Sequence, residues 1–228
     1  MSLRDQRGFT LIELLVSMAA GVIVTSTVVM ITTVALHNQD RIARRVDANQ
    51  RGRPVMTRMI QELHSACVAP RIVPILAGST GTSISFLSKP GSTVSPTPDK
   101  HVITLSGTTL SESVFTATGG SAPGPWTFSG TAAPNSPGPL LTNVAAPSGV
   151  MFSYFQFVNG ALSTTPATTP LSPTDAAKTA VVSISFASSP TGGASSFDPN
   201  SPISFTDSAD LRLEAAGQYP NQDNLPCV

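Results

Sequence analysis

The stretch RGFTLIELLV, running from Arg7 to Val16, sets one carboxylate, Glu13, into an apolar run that opens at Phe9 just after a glycine. Residues Phe9 to Leu36 number 28, and Glu13 is the one charged residue among them. A hydrocarbon core is crossed by about 20 residues rising about 1.5 Å each, so this segment is predicted to be a spanning helix. Gly21, Thr10, Thr25, Thr27, Thr32 and Thr33 interrupt its hydrophobicity, as membrane helices tolerate. The run is longer than the roughly 7–15 residues of a signal-peptide core, and no A-x-A cleavage signal closes it. A buried carboxylate costs at least about 2.5–3.5 kcal/mol in such a helix. Glu13 therefore needs either a cationic partner or a route to the membrane surface, which its place near the edge allows.

Downstream of His37 the pattern turns amphipathic. Ile42 and Val46, then Met56, Met59, Ile60, Leu63 and Cys67, recur at steps of three and four, the period of one helical face. Arg41, Arg44, Arg45, Arg51, Arg53 and Arg58 take the other face. Pro54 lacks an N–H and crowds the carbonyl four residues back, so a kink or a helix restart is expected there. The helix is expected to end by Pro70; if straight from Phe9 to Cys67 it would be about 85–90 Å long.

The remainder reads as strands and turn-rich loops. Thr82–Ser88, Val102–Ser106 and Thr109–Val114 alternate apolar and polar residues, as strands with one wet face do. Val150–Val158 is followed by Asn159-Gly160, the pair that best marks a two-residue hairpin. Ala180–Ala187 is a further strand, and Pro202–Thr206 with Leu211–Glu214 is expected to close the sheet. Loops are expected at 91–99, 119–125, 132–139, 164–173 and 188–201, where Pro, Ser, Gly and Thr cluster. The fold class is thus α+β: a long, partly transmembrane N-terminal helix packed on a small antiparallel sheet domain. The predicted division is 1–8, 9–36, 37–68 and 69–228.

Composition limits the function classes. Of the 228 residues only 11% are charged and 6% aromatic, with 20 prolines and 17 glycines, and the net charge is zero. No overall field draws in nucleic acid or an anionic membrane. His37, His64 and His101 are scattered, with no metal-ligand spacing, and neither a nucleophile elbow nor a phosphate-binding glycine loop is present. Asp198, Asp207 and Asp210 lack the spacing of a Ca²⁺ loop. The expectation is no enzyme, no cofactor and no metal.

Arg7-Gly8-Phe9-Thr10-Leu11-Ile12-Glu13, with its short basic leader, resembles the N-terminal signal of type IV pilins and type II secretion pseudopilins. Farther on, RPVMTRMIQELHSACVAP and FSYFQFVNGALS resemble the PilW-like and J-type minor pilins. The resemblance implies a pilin-like fold, cleavage by a prepilin peptidase between Gly8 and Phe9, and N-methylation of Phe9. It also implies partners: other pilins or pseudopilins through the N-terminal helix, an inner-membrane assembly platform, and membrane lipid before assembly. Arg4 and Arg7 in the leader fit a cytoplasmic N-terminus, with the C-terminal domain outside and later in a surface or periplasmic filament. Cleavage would create an α-amino cation one helical turn from Glu13, and pairing within or between subunits would make Glu13 a register signal. The alternatives are a secretion pseudopilin moving exported proteins and a membrane-tethered surface binding module. DNA is a partner that the arginine cluster permits and nothing else supports.

Two cysteines, Cys67 and Cys227, leave two readings open: unpaired buried thiols or a disulfide. Export of the C-terminal part favours the disulfide. Closing a loop of about 160 residues is worth up to about 5 kcal/mol on the chain-entropy model.

Overall fold

In the computed structural model the described residues are 10–67, 73–88, 97–120, 125–134, 136, 138–190 and 202–211. They form a long helix, α1 (Leu11–His64), followed by antiparallel sheets, an α+β arrangement. Contacts divide the chain into two units, Met1–Arg45 and Val46–Val228.

In the first unit, α1 carries its apolar side chains on the outside all round. Leu11 is 84% exposed, and Ile12, Met30 and Ile31 are similarly bare. So large an apolar surface marks a segment that meets lipid or protein. Among the described residues α1 is the one helix long and apolar enough to cross a membrane. Its hydroxyls do not face outward unpaired. Ser17 donates to Leu14 O (2.9 Å), Thr25 to Gly21 O (2.9 Å), Ser26 to Val22 O (2.8 Å) and Thr27 to Val24 O (2.7 Å). Thr32 and Thr33 donate to Val28 O and Val29 O, each at 2.8 Å. Folding a hydroxyl back onto the preceding turn is how Ser and Thr sit inside a helix.

In the second unit, the buried stripe of α1 runs through Ala48, Gly52, Met56, Met59 and Leu63, at steps of four and three as one helical face requires. Ile42 and Val46, expected on that stripe, are 61% and 46% exposed. Small residues occupy the positions where α1 closes on its neighbours, so the stripe is carried by Ala48 and Gly52. Helix α1 continues through Pro54, so of the two expectations there, a kink or a restart, the restart does not occur.

The strands that follow are β1 (Ser83–Ser88), β2 (Asp99–Ser106), β3 (Thr109–Phe115), β4 (Ala117–Gly119), β5 (Thr127–Phe128), β6 (Gly138–Thr142), β7 (Val144–Ala145), β8 (Phe152–Val158) and β9 (Ala161–Leu162). A short helix, α2 (Pro173–Lys178), then leads into β10 (Thr179–Ser188) and β11 (Ile203–Asp210). One sheet has the order β1-β2-β3-β6 and another β11-β10-β8-β9, with β7 also pairing β10; β4 and β5 form a small ribbon. Every pairing is antiparallel. Alternation places Ile84 and Phe86 of β1, Ile103 of β2 and Leu110 of β3 in the core. Met59 and Leu63 of α1 join them, together with Phe152 and Tyr154 of β8 and Ile184 and Phe186 of β10. Full burial of one such side chain contributes about 1.5–3 kcal/mol.

The Asn159-Gly160 hairpin joins β8 to β9 as expected. Both residues have positive φ, 54° and 81°, the backbone that a type I′ turn demands. Tyr154 Oη donates to Thr80 O at 2.9 Å, tying β8 to the segment before β1. Helix α2 starts at Pro173, the last residue of a segment expected as loop; Ser172 caps it by accepting from Asp175 N at 3.1 Å, with proline in the first turn.

Candidate functional site

The first turn of α1 is built by Thr10-Leu11-Ile12-Glu13. The Glu13 backbone N–H reaches both Thr10 O (3.1 Å) and Thr10 Oγ1 (3.4 Å). A threonine followed three residues later by glutamate is the pattern of a capping box, and here its hydroxyl half is formed. A carboxylate in the first turn also faces the positive end of the helix dipole. Glu13 thus suits the start of this helix for a second reason, which the T-x-x-E spacing made available to sequence reasoning. Its side chain is exposed. Gly8 and Phe9, the expected cleavage and methylation positions, lie outside the described residues.

Cys67 is fully buried and disulfide-bonded. It packs with Leu87, and Leu76, Trp126 and Phe128 surround the pair. The Cys67 N–H donates to Leu87 O at 2.8 Å, and Ala66 bridges Ser88, so the end of α1 is stitched to the edge of β1. Cys227 lies outside the described residues. Of the remaining singled-out residues, His37 Nδ1 lies 2.8 Å from Thr33 O, and His64 is exposed at the last position of α1. Asp207 and Asp210 both lie on β11, and Asp207 Oδ1 accepts from Ser208 N at 2.8 Å. Asp198 is outside the described residues.

The structure also assembles a charged cluster that sequence spacing did not flag. His101 of β2 and Glu112 of β3 point to the same core face, diagonal across the ladder in which His101 faces Val114 and Ile103 faces Glu112. His101 Nδ1 lies 2.7 Å from Glu112 Oε1, and its ring stacks on Phe86 with centroids 5.3 Å apart. From α1, Arg58 Nη2 donates to Glu112 Oε2 at 2.7 Å and Arg58 Nε to Glu62 Oε1 at 2.7 Å. Burial pushes the Glu62 carboxyl above its ordinary range, and the Arg58 hydrogen bond opposes that shift. The residues lie 4, 39 and 11 positions apart along the chain, and only the β2–β3 register and the docking of α1 bring them together.

Residues 3–29 match the family model described as the prokaryotic N-terminal methylation motif. No curated protein and no solved structure matches the chain. The motif supports a pilin- or pseudopilin-type protein processed by a prepilin peptidase and associating with other pilins. Together with the apolar helix, it fits a membrane-anchored, single-pass protein.

Proposed function

We propose that the chain is a minor pilin or pseudopilin, cleaved after Gly8, N-methylated at Phe9 and built into or priming a type IV pilus-like filament. The observation that carries this reading is the methylation motif at residues 3–29 running directly into a helix whose apolar side chains are exposed on every side. A segment of that kind waits in lipid and is then covered by like helices. Glu13 supplies the register, since a neighbour docked at the wrong stagger leaves its carboxylate and the new Phe9 amino group unpaired in an apolar setting. The unit that follows sits outside the cytoplasmic membrane, where the disulfide at Cys67 persists and Cys227 is its partner. The role is assembly, not catalysis. The PilW-like resemblance of the downstream helix and hairpin supports a minor subunit over a major one.

Mass spectrometry of the mature protein tests the reading. A chain beginning with N-methylphenylalanine at Phe9 is expected, and an unprocessed Met1 start in cells with active prepilin peptidase overturns it.

A further inference from the structure

We propose that Glu62, His101 and Glu112 form a site for a divalent transition-metal ion of the Zn²⁺ type, and that Arg58 occupies the ion's electrostatic place when no metal is bound. Each of the three residues brings one ligand atom to within 4.8 Å of the others, from three different elements. One imidazole with two carboxylates is a donor set that suits Zn²⁺ or Mn²⁺ better than Mg²⁺, which keeps its waters and favours all-oxygen shells.

Further observations point to a cation as the ligand. The His101 side chain is 7% exposed, yet its Nε2 has no hydrogen-bond partner among the described residues, and Glu62 Oε2 is likewise buried without one there. Buried polar atoms without partners are uncommon, and each calls for an explanation. Two carboxylates, those of Glu62 and Glu112, also face the single guanidinium of Arg58. Arg58 is the movable member. Its side chain is 43% exposed, against 16% for Glu62 and 0% for Glu112, and it borders an open groove along α1 with Arg53, Pro54, Thr57 and Gln61. It can swing into solvent and leave both carboxylates free.

Zinc binds nitrogen and oxygen at about 2.0–2.2 Å, which places tetrahedral ligand atoms roughly 3.3 Å apart. The present spread closes to that by rotation of Glu62, the most exposed of the three ligands. Binding would lock α1 to β2 and β3 with an ion in place of a salt bridge.

The test uses the full chain in detergent, stripped of metal and titrated with ZnCl₂ by calorimetry, with MgCl₂ as control. One Zn²⁺ per chain is expected, with a nitrogen- and oxygen-only shell containing one imidazole by X-ray absorption. Arg58→Met removes the competing cation and should tighten binding by about tenfold or more, while Glu112→Gln and His101→Gln, which alter ligands, should each weaken it at least as much as loss of an outer-shell partner does, about 10–100-fold. A tightening in Arg58→Met is a result that damage to the fold does not give. Should the other variants fail to fold, the wild-type absorption spectrum decides alone. A folded wild-type chain that takes up no stoichiometric Zn²⁺, or a shell containing sulfur or lacking imidazole, overturns the site. Affinity unchanged in Arg58→Met overturns the place assigned to the guanidinium.

Discussion

The ring of Phe205 lies against Gly52 so closely that a Cβ on Gly52 would stand 2.4 Å from Phe205 Cε2 and 2.5 Å from Cζ. Phe205 also stacks on Phe186, with ring centroids 5.2 Å apart. Glycine in the middle of a helix ordinarily costs about 0.5–1 kcal/mol relative to alanine, so its presence on the buried stripe of α1 is explained by what covers it. Gly52→Ala must shift the Phe205 ring, and the overpacking cost of about 1–3 kcal/mol is expected to outweigh the gain in helix propensity. Denaturant unfolding is expected to show net destabilisation in Gly52→Ala. Adding Phe205→Leu, which shortens the opposing side chain, should recover part of it; a single variant more stable than wild type would refute the contact.

Tyr154 gives a pH signature. Burial pushes its phenol above the ordinary value of about 10, and its hydroxyl is committed to Thr80 O. Below pH 10 the phenol is neutral in both folded and unfolded chains, and the fold loses nothing. Above pH 10 the unfolded chain ionises while the folded one does not, so stability falls as pH rises. Unfolding free energies measured between pH 8 and pH 11 should decline for wild type and decline less for Tyr154→Phe. That variant should also lose about 0.5–1.5 kcal/mol near neutrality from the missing hydrogen bond.

The N-terminal motif separates processing from assembly. Replacing Gly8 with a bulky residue should leave a full-length precursor in the membrane fraction, seen as a heavier band on a gel. If Glu13 has the proposed register role, Glu13→Val should be inserted and cleaved yet enter filaments poorly, since the cation that cleavage would create loses its partner. Sheared filaments probed for the subunit give the readout, and normal incorporation of Glu13→Val would remove the register role. Because Glu13 also stands in the first helical turn, Glu13→Gln separates charge pairing from capping. It keeps the capping-box residue type and should still assemble poorly.

Cys67 and Cys227 predict a covalent tie. Wild-type protein should run faster on a non-reducing gel than after reduction, and Cys227→Ser should abolish the difference. A dimer-sized band seen before reduction in wild type and kept in that variant would assign the Cys67 bond to another chain.

How much was legible in the sequence depended on how local the signal was. Phe9–Leu36 and the alternation in β1, β2, β8 and β10 declare themselves within one element, and Asn159-Gly160 fixes its turn through two residues that accept positive φ. Strand β6 stayed hidden because GPLLT lies in a Pro/Gly-rich stretch. Its proline is accommodated at the sheet edge, beside an irregularity in β3 between Leu110 and Ser111. Whether α1 would continue or restart at Pro54 stayed open because a proline tolerated in a helix and one that ends it look alike in sequence. Ala48 and Gly52 were passed over as core because a hydrophobic pattern registers large side chains, whereas close approach selects small ones. The Arg58–Glu112–His101 cluster depends on strand register and helix docking together, and neither is written in any spacing along the chain.

Six hydroxyls of α1, from Ser17 to Thr33, are already satisfied by carbonyls of their own helix. They ask nothing of whatever surrounds the segment. A helix that carried free hydroxyls would have to exchange one set of partners for another on leaving lipid for a protein environment, and that exchange would favour one of the two. Here the surface offered to a fatty acyl chain and to a neighbouring helix is the same, so withdrawal from a bilayer can be close to neutral in hydrogen bonding. What remains to distinguish the two surroundings is packing and the single carboxylate at the leading end.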